Sequence, residues 1–278
     1  MKLFKTLCSI LWITFVSVVV SACAANPEAT DTLAFENQVS VANPLVAIFL
    51  DKSRIELTGG ADNLVEGVVR YNKPNLVPVI TENEQGIKIE QPERHHDLAP
   101  IRASRINDWE LRLGNAPLKL EIESEGMNGE INLSGIAIQD LVIRERGSLY
   151  KLVISEPNPA RLDKIVYQTN ASQAELIGLG NSQAAEFVFE GIGGIYSLDF
   201  SGPLRQDMNV HITYGLGSLT LVIPAETNAT ITLLGNYRHL SGQGDWNSAG
   251  NIYTTGSDGP LLNIIVEMDL GGLAFVMK

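Results

Sequence analysis

Residues 95–97 are the part of this chain that most resembles a metal site. His95, His96 and Asp97 are adjacent in the sequence. Neighbouring side chains of an extended chain point in opposite directions, so two adjacent histidines are poorly placed to bind one ion. The surrounding segment is charged and bounded by prolines, which is typical of a solvated loop. We therefore predict no metal site here, and no cofactor for the protein.

Three carboxylates share one face of a predicted strand, because Glu121, Glu123 and Glu125 alternate with other residues. Side chains two residues apart on a strand are separated by about 7 Å, which is within the range of carboxylate pairs that cleave glycosidic bonds. These three lie on one exposed strand and not across a cleft, so we interpret them as a solvated acidic face. A weak calcium site formed by Glu125, Asn128 and Glu130 is the alternative, although the sequence has no Asp-x-Asp-x-Asp-Gly loop there.

Two glycine-rich segments, 191–194 and 215–217, resemble loops that bind phosphate. That chemistry needs a helix N-terminus directly after the loop. Segments with strand character follow instead, so we interpret these glycines as strand corners. The sequence also lacks the Gly-x-Ser-x-Gly motif of serine hydrolases, and His211 alternates with apolar neighbours in a way that places it on an outward strand face. We predict no catalytic residues.

The fourth candidate site is aromatic. Tyr237, Trp246 and Tyr253 lie in a polar segment, 235–259, rich in glycine, asparagine and serine. Aromatic rings stack on sugar faces while amides and hydroxyls bond sugar hydroxyl groups, so this composition is typical of glycan contact. The alternative is a cap that covers the open end of a stacked β-structure. One segment can serve both purposes, and both interpretations stay open here.

Composition limits the functions available to the chain. It has 278 residues, a formal net charge of −12 and 45% hydrophobic residues. This hydrophobic content excludes an intrinsically disordered protein. The negative charge argues against nucleic-acid binding, which needs basic patches against phosphate. We expect no nucleic-acid partner.

The first 22 residues have the features of an export signal. Lys2 and Lys5 precede 14 uncharged residues, 7–20, a run too short for a typical membrane span. The segment ends in Val20-Ser21-Ala22-Cys23, which resembles the bacterial lipoprotein signal. The resemblance implies cleavage before Cys23, a diacylglyceryl thioether on its sulfur, and an acylated amino group. An ordinary secreted protein, cut after a small residue, is the alternative.

The mature chain would then carry a net charge of −14, because the signal holds two lysines and no acid. It would keep Cys23 as its single cysteine, so no intramolecular disulfide can form. Residues 23–45 have the composition of a tether with a short helical or strand piece near 33–41. We predict an extracytoplasmic protein whose membrane partner is reached through the lipid on Cys23, in the cell membrane or the outer membrane.

Beyond the tether, the hydrophobic period is two, which indicates half-buried strands. Residues at the predicted corners, Gly126, Gly147, Asn170, Gly193 and Gly215, recur at intervals of 21, 23, 23 and 22 residues. A Leu-Ser-Gly-like step also recurs, the last time near 240–242. Such periods are typical of solenoids. We predict an all-β fold, a stacked β-solenoid of ~22-residue rungs over 108–278 with an N-terminal β subregion over 46–107, and a β-sandwich as the alternative.

Several of these glycine-spaced segments resemble the extracytoplasmic toast-rack domain of LiaF-like and phage-shock-related envelope proteins, also described as adhesin-like. The segments are 57–61, 86–90, 109–120, 126–135, 191–202 and 215–224. The resemblance implies a stacked β-fold without a shared catalytic motif. It also implies a role in envelope stress sensing, surface interaction or assembly. The LiaF-like relatives carry transmembrane helices, whereas this chain has a predicted lipid anchor.

The sequence therefore predicts a lipid-anchored, non-enzymatic binding or structural module of the cell envelope, with an envelope protein or a glycan as its partner. The alternative is a polysaccharide-acting β-helix enzyme, a lyase or a glycosidase. Acids or arginines stacked in a groove across neighbouring rungs would favour the enzyme. Ladders of apolar, asparagine and threonine side chains alone would favour the binding module.

Overall fold

The computed structural model describes residues 30–37, 41–91 and 105–278. Almost all of its regular structure is β-strand, and the helical content of this part is two short 3-10 turns, Pro74–Leu76 and Leu179–Ser182. The strands are β1 Asp31–Asn37, β2 Leu45–Asp51, β3 Arg54–Ala61, β4 Val65–Tyr71, β5 Val79–Asn83, β6 Gly86–Glu90, β7 Asn107–Gly114, β8 Leu118–Glu125, β9 Asn128–Asn132, β10 Ile138–Arg146, β11 Leu149–Val153, β12 Leu162–Asn170, β13 Ser172–Ile177, β14 Ala184–Asp199, β15 Met208–Ile223, β16 Asn228–Gly235, β17 His239–Gln243, β18 Asn247–Ala249, β19 Ile252–Thr254, β20 Leu261–Met268 and β21 Gly272–Met277.

These strands form one hydrogen-bonded sheet that folds along a corner into two walls. The first wall has the order β5-β6-β2-β8-β10-β12-β14-β15-β20-β16-β19-β18. The second wall has the order β1-β4-β7-β3-β9-β11-β13-β14-β15-β21-β17. The 16-residue strands β14 and β15 bend at the corner and belong to both walls. The predicted all-β, toast-rack-like solenoid is confirmed.

The core lies between the walls and is closed by the connections that lead from each rung to the next. Inward side chains of successive rungs stack in register; in one column Tyr167 and Phe189 have parallel rings with centroids 5.3 Å apart. The connections add buried residues such as Leu133, Leu179 and Phe200. Alternation of apolar and polar residues builds this arrangement, because it buries one face of every strand.

The corners match the predicted spacing with small shifts. Gly126 and Gly147 adopt positive φ as expected, but the positive-φ residue of the next corner is Ala171 and not Asn170. In β14 and β15 the positive-φ residues are Gly194 and Gly217. A Cβ on Gly217 would stand 2.0 Å from the carbonyl oxygen of Gly194, so close stacking of the rungs demands glycine there.

The two ends of the stack depart from sequence order. At the N-terminal end, β2 and β3 lie between the rung of β6 and β7 and the rung of β8 and β9. At the other end, the C-terminal strands β20 and β21 lie between β15 and the outer pair β16 and β17. The predicted boundary at residue 107 falls at the start of β7, and both sides of it contribute rungs to the same stack. The strand piece expected within the tether is β1, which pairs antiparallel with β4.

Candidate functional site

A groove runs along the outer face of the second wall. One part of it has a volume of about 480 Å³ and crosses the strands β3, β9, β11 and β13. A neighbouring depression of about 710 Å³ continues it over β4 and β7 toward β1. Polar side chains from alternate positions of these strands line the groove, because period-two alternation turns every second residue outward. The charged ones in the part over β3, β9, β11 and β13 are Arg54, Glu56, Glu130, Lys151 and Glu175.

Carboxylates are stacked along this groove. Glu110, Glu56 and Glu130 occupy directly paired positions of the adjacent strands β7, β3 and β9. Adjacent strands are about 4.8 Å apart, and like charges placed opposite each other are destabilising. Arg70 pairs with Glu110 and thereby lowers the pKa of that carboxyl. Glu56 and Glu130 make no salt bridge with any described residue, so this pair is the part of the groove best suited to a positively charged or hydroxyl-rich ligand.

The next rungs change the charge pattern. Lys151 lies in the same outward column and pairs with Glu175 of the following strand at 3.0 Å. Ser197 and Thr220 continue the column on β14 and β15. The column therefore passes from acidic to neutral hydroxyl groups along the stack, at the regular spacing that parallel strands impose.

The predicted acidic strand face lies on the first wall, where cations of the next rung meet it. Glu121 pairs with Arg144, and Glu125 pairs with Arg146. This face is a ladder of alternating charges and not a purely acidic one. Glu125 also lies across the corner from Asn128 and Glu130, which belong to the second wall. The structure thus does not bring the proposed calcium ligands together on one face.

The glycine segments 191–194 and 215–217 are corners within β14 and β15, with strand and not helix on both sides. His211 is exposed on the outer face of the first wall, as predicted. His95, His96 and Asp97 lie outside the described residues. Within the described ranges, no three His, Cys, Asp or Glu side chains are grouped so that they could hold a metal ion.

The three predicted aromatic residues cover the C-terminal end of the core. Trp246 and Tyr253 pack on Phe275, with ring centroids 5.3 and 4.7 Å from it. The hydroxyl of Tyr237 lies within hydrogen-bonding distance of the carbonyl oxygens of Leu234 and Val266, at 2.8 and 2.7 Å. Burial of that hydroxyl raises the pKa of Tyr237 to about 12. This packing is what a cap requires, while glycan binding by the half-exposed rings stays a prediction.

The glycine of the recurring step near 240–242 lies within a strand of this cap. Gly242 lies inside β17, and a Cβ there would stand 2.6 Å from the ring of Phe275. Glycine is needed at this position because the aromatic ring of the neighbouring strand lies across the backbone.

Sequence reasoning missed a buried carboxylate. Glu145 points inward from β10 and is 5% exposed. The hydroxyl of Tyr167 donates to its Oε1 at 3.1 Å, and the hydroxyls of Thr169 and Ser172 also donate to the carboxylate. Tyr150 in turn donates to Tyr167 at 3.0 Å. The signal was present, because Leu141, Ile143 and Glu145 share the inward register of their strand.

Burial shifts the pKa of two tyrosines in this cluster. Desolvation raises the pKa of Tyr150 and Tyr167 well above the usual value, and the nearby Glu145 adds to the effect. Three hydroxyl-bearing side chains thus hold one carboxylate inside the stack, and Tyr150 donates to one of the three, Tyr167. The cluster lies behind the groove, within the core, so we assign it to the stability of the corner and not to ligand contact.

Cys23 lies outside the described residues, so its lipidation stays a prediction. Among the residues that the structure describes, there is no helix long and apolar enough to cross a membrane.

Comparison with known proteins locates the family resemblance in the N-terminal half. Residues 25–149 match the model of the N-terminal domain of toast_rack, DUF2154. The chain is also similar to a crystal structure of a "putative cell adhesion protein" from Clostridium sporogenes ATCC 15579, with 14% sequence identity and a TM-score of 0.48 over 90% of this chain and 100% of that one. No curated protein matches the chain. The family match agrees with the toast-rack resemblance of the sequence.

Proposed function

We propose that this protein is a non-catalytic binding module of the bacterial cell envelope, anchored by lipid at Cys23. It binds an extended, hydroxyl-rich or amino-substituted glycan along the groove of the second wall. The observation that carries the proposal is the column of outward side chains, from Glu110 through Glu56 and Glu130 to Lys151 and Glu175, which faces one continuous groove.

The groove suits a polymer because its spacing is fixed by the backbone. Parallel rungs repeat every ~4.8 Å, so polar groups in one column meet a long ligand at regular intervals. The column offers carboxylate and hydroxyl acceptors, and Asn128 and Gln173 add amides at the groove's edge. Such groups can form hydrogen bonds with sugar hydroxyls without a covalent reaction. The rigid stack also lowers the conformational entropy lost on binding.

The anchor would hold a defined end of the stack near the membrane. Seven residues, 24–30, separate Cys23 from β1. A fully extended chain of this length reaches about 25 Å. Since β1 is an edge strand of the second wall, the N-terminal end of the groove would start close to the lipid, and the aromatic cap would lie at the distal end. Surface adhesion and envelope stress sensing are the two roles that this geometry serves.

A glycan array tests the proposal. The anchored wild-type chain, in detergent, is compared with a Glu56→Lys/Glu130→Lys variant on neutral, amino-substituted and acidic oligosaccharides. We expect wild-type binding to neutral or amino-substituted chains and a loss of at least tenfold in the variant. Glu267→Lys reverses an exposed charge on the first wall, and this variant should bind as the wild type does. Absence of wild-type binding, or equal losses in both variants, would refute the groove as the site.

A second candidate function rests on the same carboxylate pair. Glu56 and Glu130 come from neighbouring rungs and face a groove, which is the arrangement that favours a polysaccharide-acting enzyme. Against it, both carboxylates are exposed, whereas an acid catalyst needs an environment that raises its pKa. Incubation of the same oligosaccharides with the protein, followed by product analysis, separates the two functions. Product that disappears in Glu130→Gln would establish the enzyme.

A further inference from the structure

The side chains at the corner between the two walls change from charged to aliphatic along the stack. Toward the N-terminal end, it carries the charged residues Lys52, Glu125 and Arg146. In the C-terminal half, it carries aliphatic side chains that are more than half exposed. They are Ile192 at 67%, Ile195 at 57%, Leu216 at 56% and Leu270 at 61%, with Leu149 at 51% beside them, and we call them the aliphatic ridge.

The strand order arranges this ridge symmetrically about β14. Ile192 and Ile195 belong to β14 itself. Leu149 lies two strands to one side, because β11 pairs with β13 and β13 pairs with β14. Leu270 lies two rungs to the other side, since its amide donates to Gly215 of β15 at 3.1 Å and β21 pairs with β15. A two-fold rotation about β14 therefore exchanges the positions of Leu149 and Leu270.

We propose that the aliphatic ridge is the contact surface of a homodimer, in which two copies lie antiparallel about a two-fold axis at β14. Ile192 and Ile195 of each copy meet their equivalents at the axis. Leu270 of one copy packs against Leu149 of the partner, and Leu216 covers the small corner residue Ala171. An isologous contact of this kind needs a self-complementary surface, which the symmetric spacing provides.

The exposed area is consistent with a weak dimer. Five side chains exposed to this degree offer roughly 500 Å² of apolar surface, more than singly scattered surface residues and within the size of functional patches. A stable interface buries about 800 Å² on each partner, so the polar rim, which includes Ser218, would have to supply the rest.

Charge at the ends of the ridge selects the antiparallel arrangement. Asp269 precedes Leu270 at one end, and Arg146, which already pairs with Glu125 of its own chain, lies close to Leu149 at the other. The two-fold rotation brings Asp269 of each copy toward Arg146 of the partner. A parallel arrangement would place like charges together, and an anionic bilayer would meet both Asp269 and the negative charge of the whole chain.

Single-cysteine cross-linking in cells tests the dimer. The full chain carrying Ile192→Cys is expressed in bacteria, treated with a mild oxidant and separated without reductant. Because residue 192 meets its own copy at the axis, we expect a disulfide-linked dimer at least five times more abundant than with Thr213→Cys, which is exposed on the outer face of the first wall. The wild-type chain controls for cross-links through Cys8 and Cys23. Equal cross-linking at residues 192 and 213 would refute the proposal.

A mixed pair tests the orientation. Co-expression of chains with Leu149→Cys and Leu270→Cys should give a dimer, whereas each variant alone should not. Efficient cross-linking of either variant alone would contradict the antiparallel arrangement.

Sedimentation of the detergent-solubilised protein gives an independent measurement. Leu216→Glu should lower the dimer fraction at least tenfold, because the antiparallel contact would bury its charge, while the thermal unfolding midpoint stays unchanged. If the wild type and the variant are both monomeric and no cross-link forms, the homodimer is refuted. The ridge would then contact a lipid or another protein. Since groove binding is measured separately, either proposal can fail alone.

Discussion

Phe275, near the C terminus, packs edge-on against Trp246 with ring centroids 5.3 Å apart and an interplanar angle of 88°. Phe275 belongs to β21, which lies between β15 and β17 and is hydrogen-bonded on both sides. The outer strand β17 therefore joins the second wall through its pairing with β21. The final segment of the sequence thus completes the C-terminal end of the core.

This position makes the C-terminal aromatic ring important for stability. Phe275→Ala should lower the free energy of unfolding by about 3 kcal/mol, because it removes a buried ring and leaves a cavity beneath Trp246 and Tyr253. Urea unfolding measures the change. Ile252→Ala, at a 40% exposed position of the same end, should cost less than about 1 kcal/mol. Equal losses at the two positions would contradict the cap.

The buried carboxylate should tolerate an amide better than an apolar group. Glu145→Leu leaves the hydroxyls of Tyr167, Thr169 and Ser172 without their acceptor, so we expect a loss of about 2–4 kcal/mol in unfolding free energy. Glu145→Gln keeps one acceptor oxygen and should lose about half as much. The comparison uses urea midpoints. A leucine variant as stable as the wild type would show that the cluster contributes nothing.

Alkaline pH should weaken the fold through the same cluster. The folded-state pKa of Tyr150 and Tyr167 is raised, so the unfolded chain loses these protons first as pH rises. Their contribution is fully present below the unfolded pKa of about 10 and is lost above it, at up to ~1.4 kcal/mol per pH unit for each tyrosine. Urea unfolding between pH 9 and 11.5 tests this. Tyr150→Phe should reduce the slope, and an unchanged slope would exclude Tyr150 from it.

Membrane attachment should depend on one sulfur atom. The full chain should sediment with membranes and incorporate a labelled fatty acid, since the signal resembles that of lipoproteins. Cys23→Ser removes the acceptor and should abolish the label. Cys8→Ser, inside the segment expected to be cleaved, is the matched control and should label as the wild type does. Persistent labelling of Cys23→Ser would refute the anchor.

Much of the fold was readable from local pattern. Alternation in segments such as 118–125 and 208–214 identified strands with one buried face, and glycine spacing identified the corners. These features depend on residues that are close together in the sequence. The local order of residue types therefore predicts them directly. The same alternation, extended through β10, places Glu145 inward, although its charge made it look like a surface residue.

The groove and the ridge could not be predicted from the local sequence pattern. Glu56 lies far from Glu130 in the sequence, and they become neighbours because β3 inserts between β7 and β9. Likewise, Leu270 joins Leu216 because the last rung lies directly against β15 and not beyond β17. A repeat read along the chain predicts consecutive rungs, and nothing in local spacing specifies which edge a later strand will occupy.

The sequence by itself determined the strand content and the acidic charge and located the corners to within two residues, since each follows from residue type and short-range period. The export signal stays a prediction. Only the tertiary structure decided the order of the terminal rungs, and with it the carboxylate column of the groove, the symmetric ridge and the aromatic cover over Phe275. The physical reason is that parallel strands pair through backbone hydrogen bonds common to all residues. Their order therefore depends on the packing of the whole core.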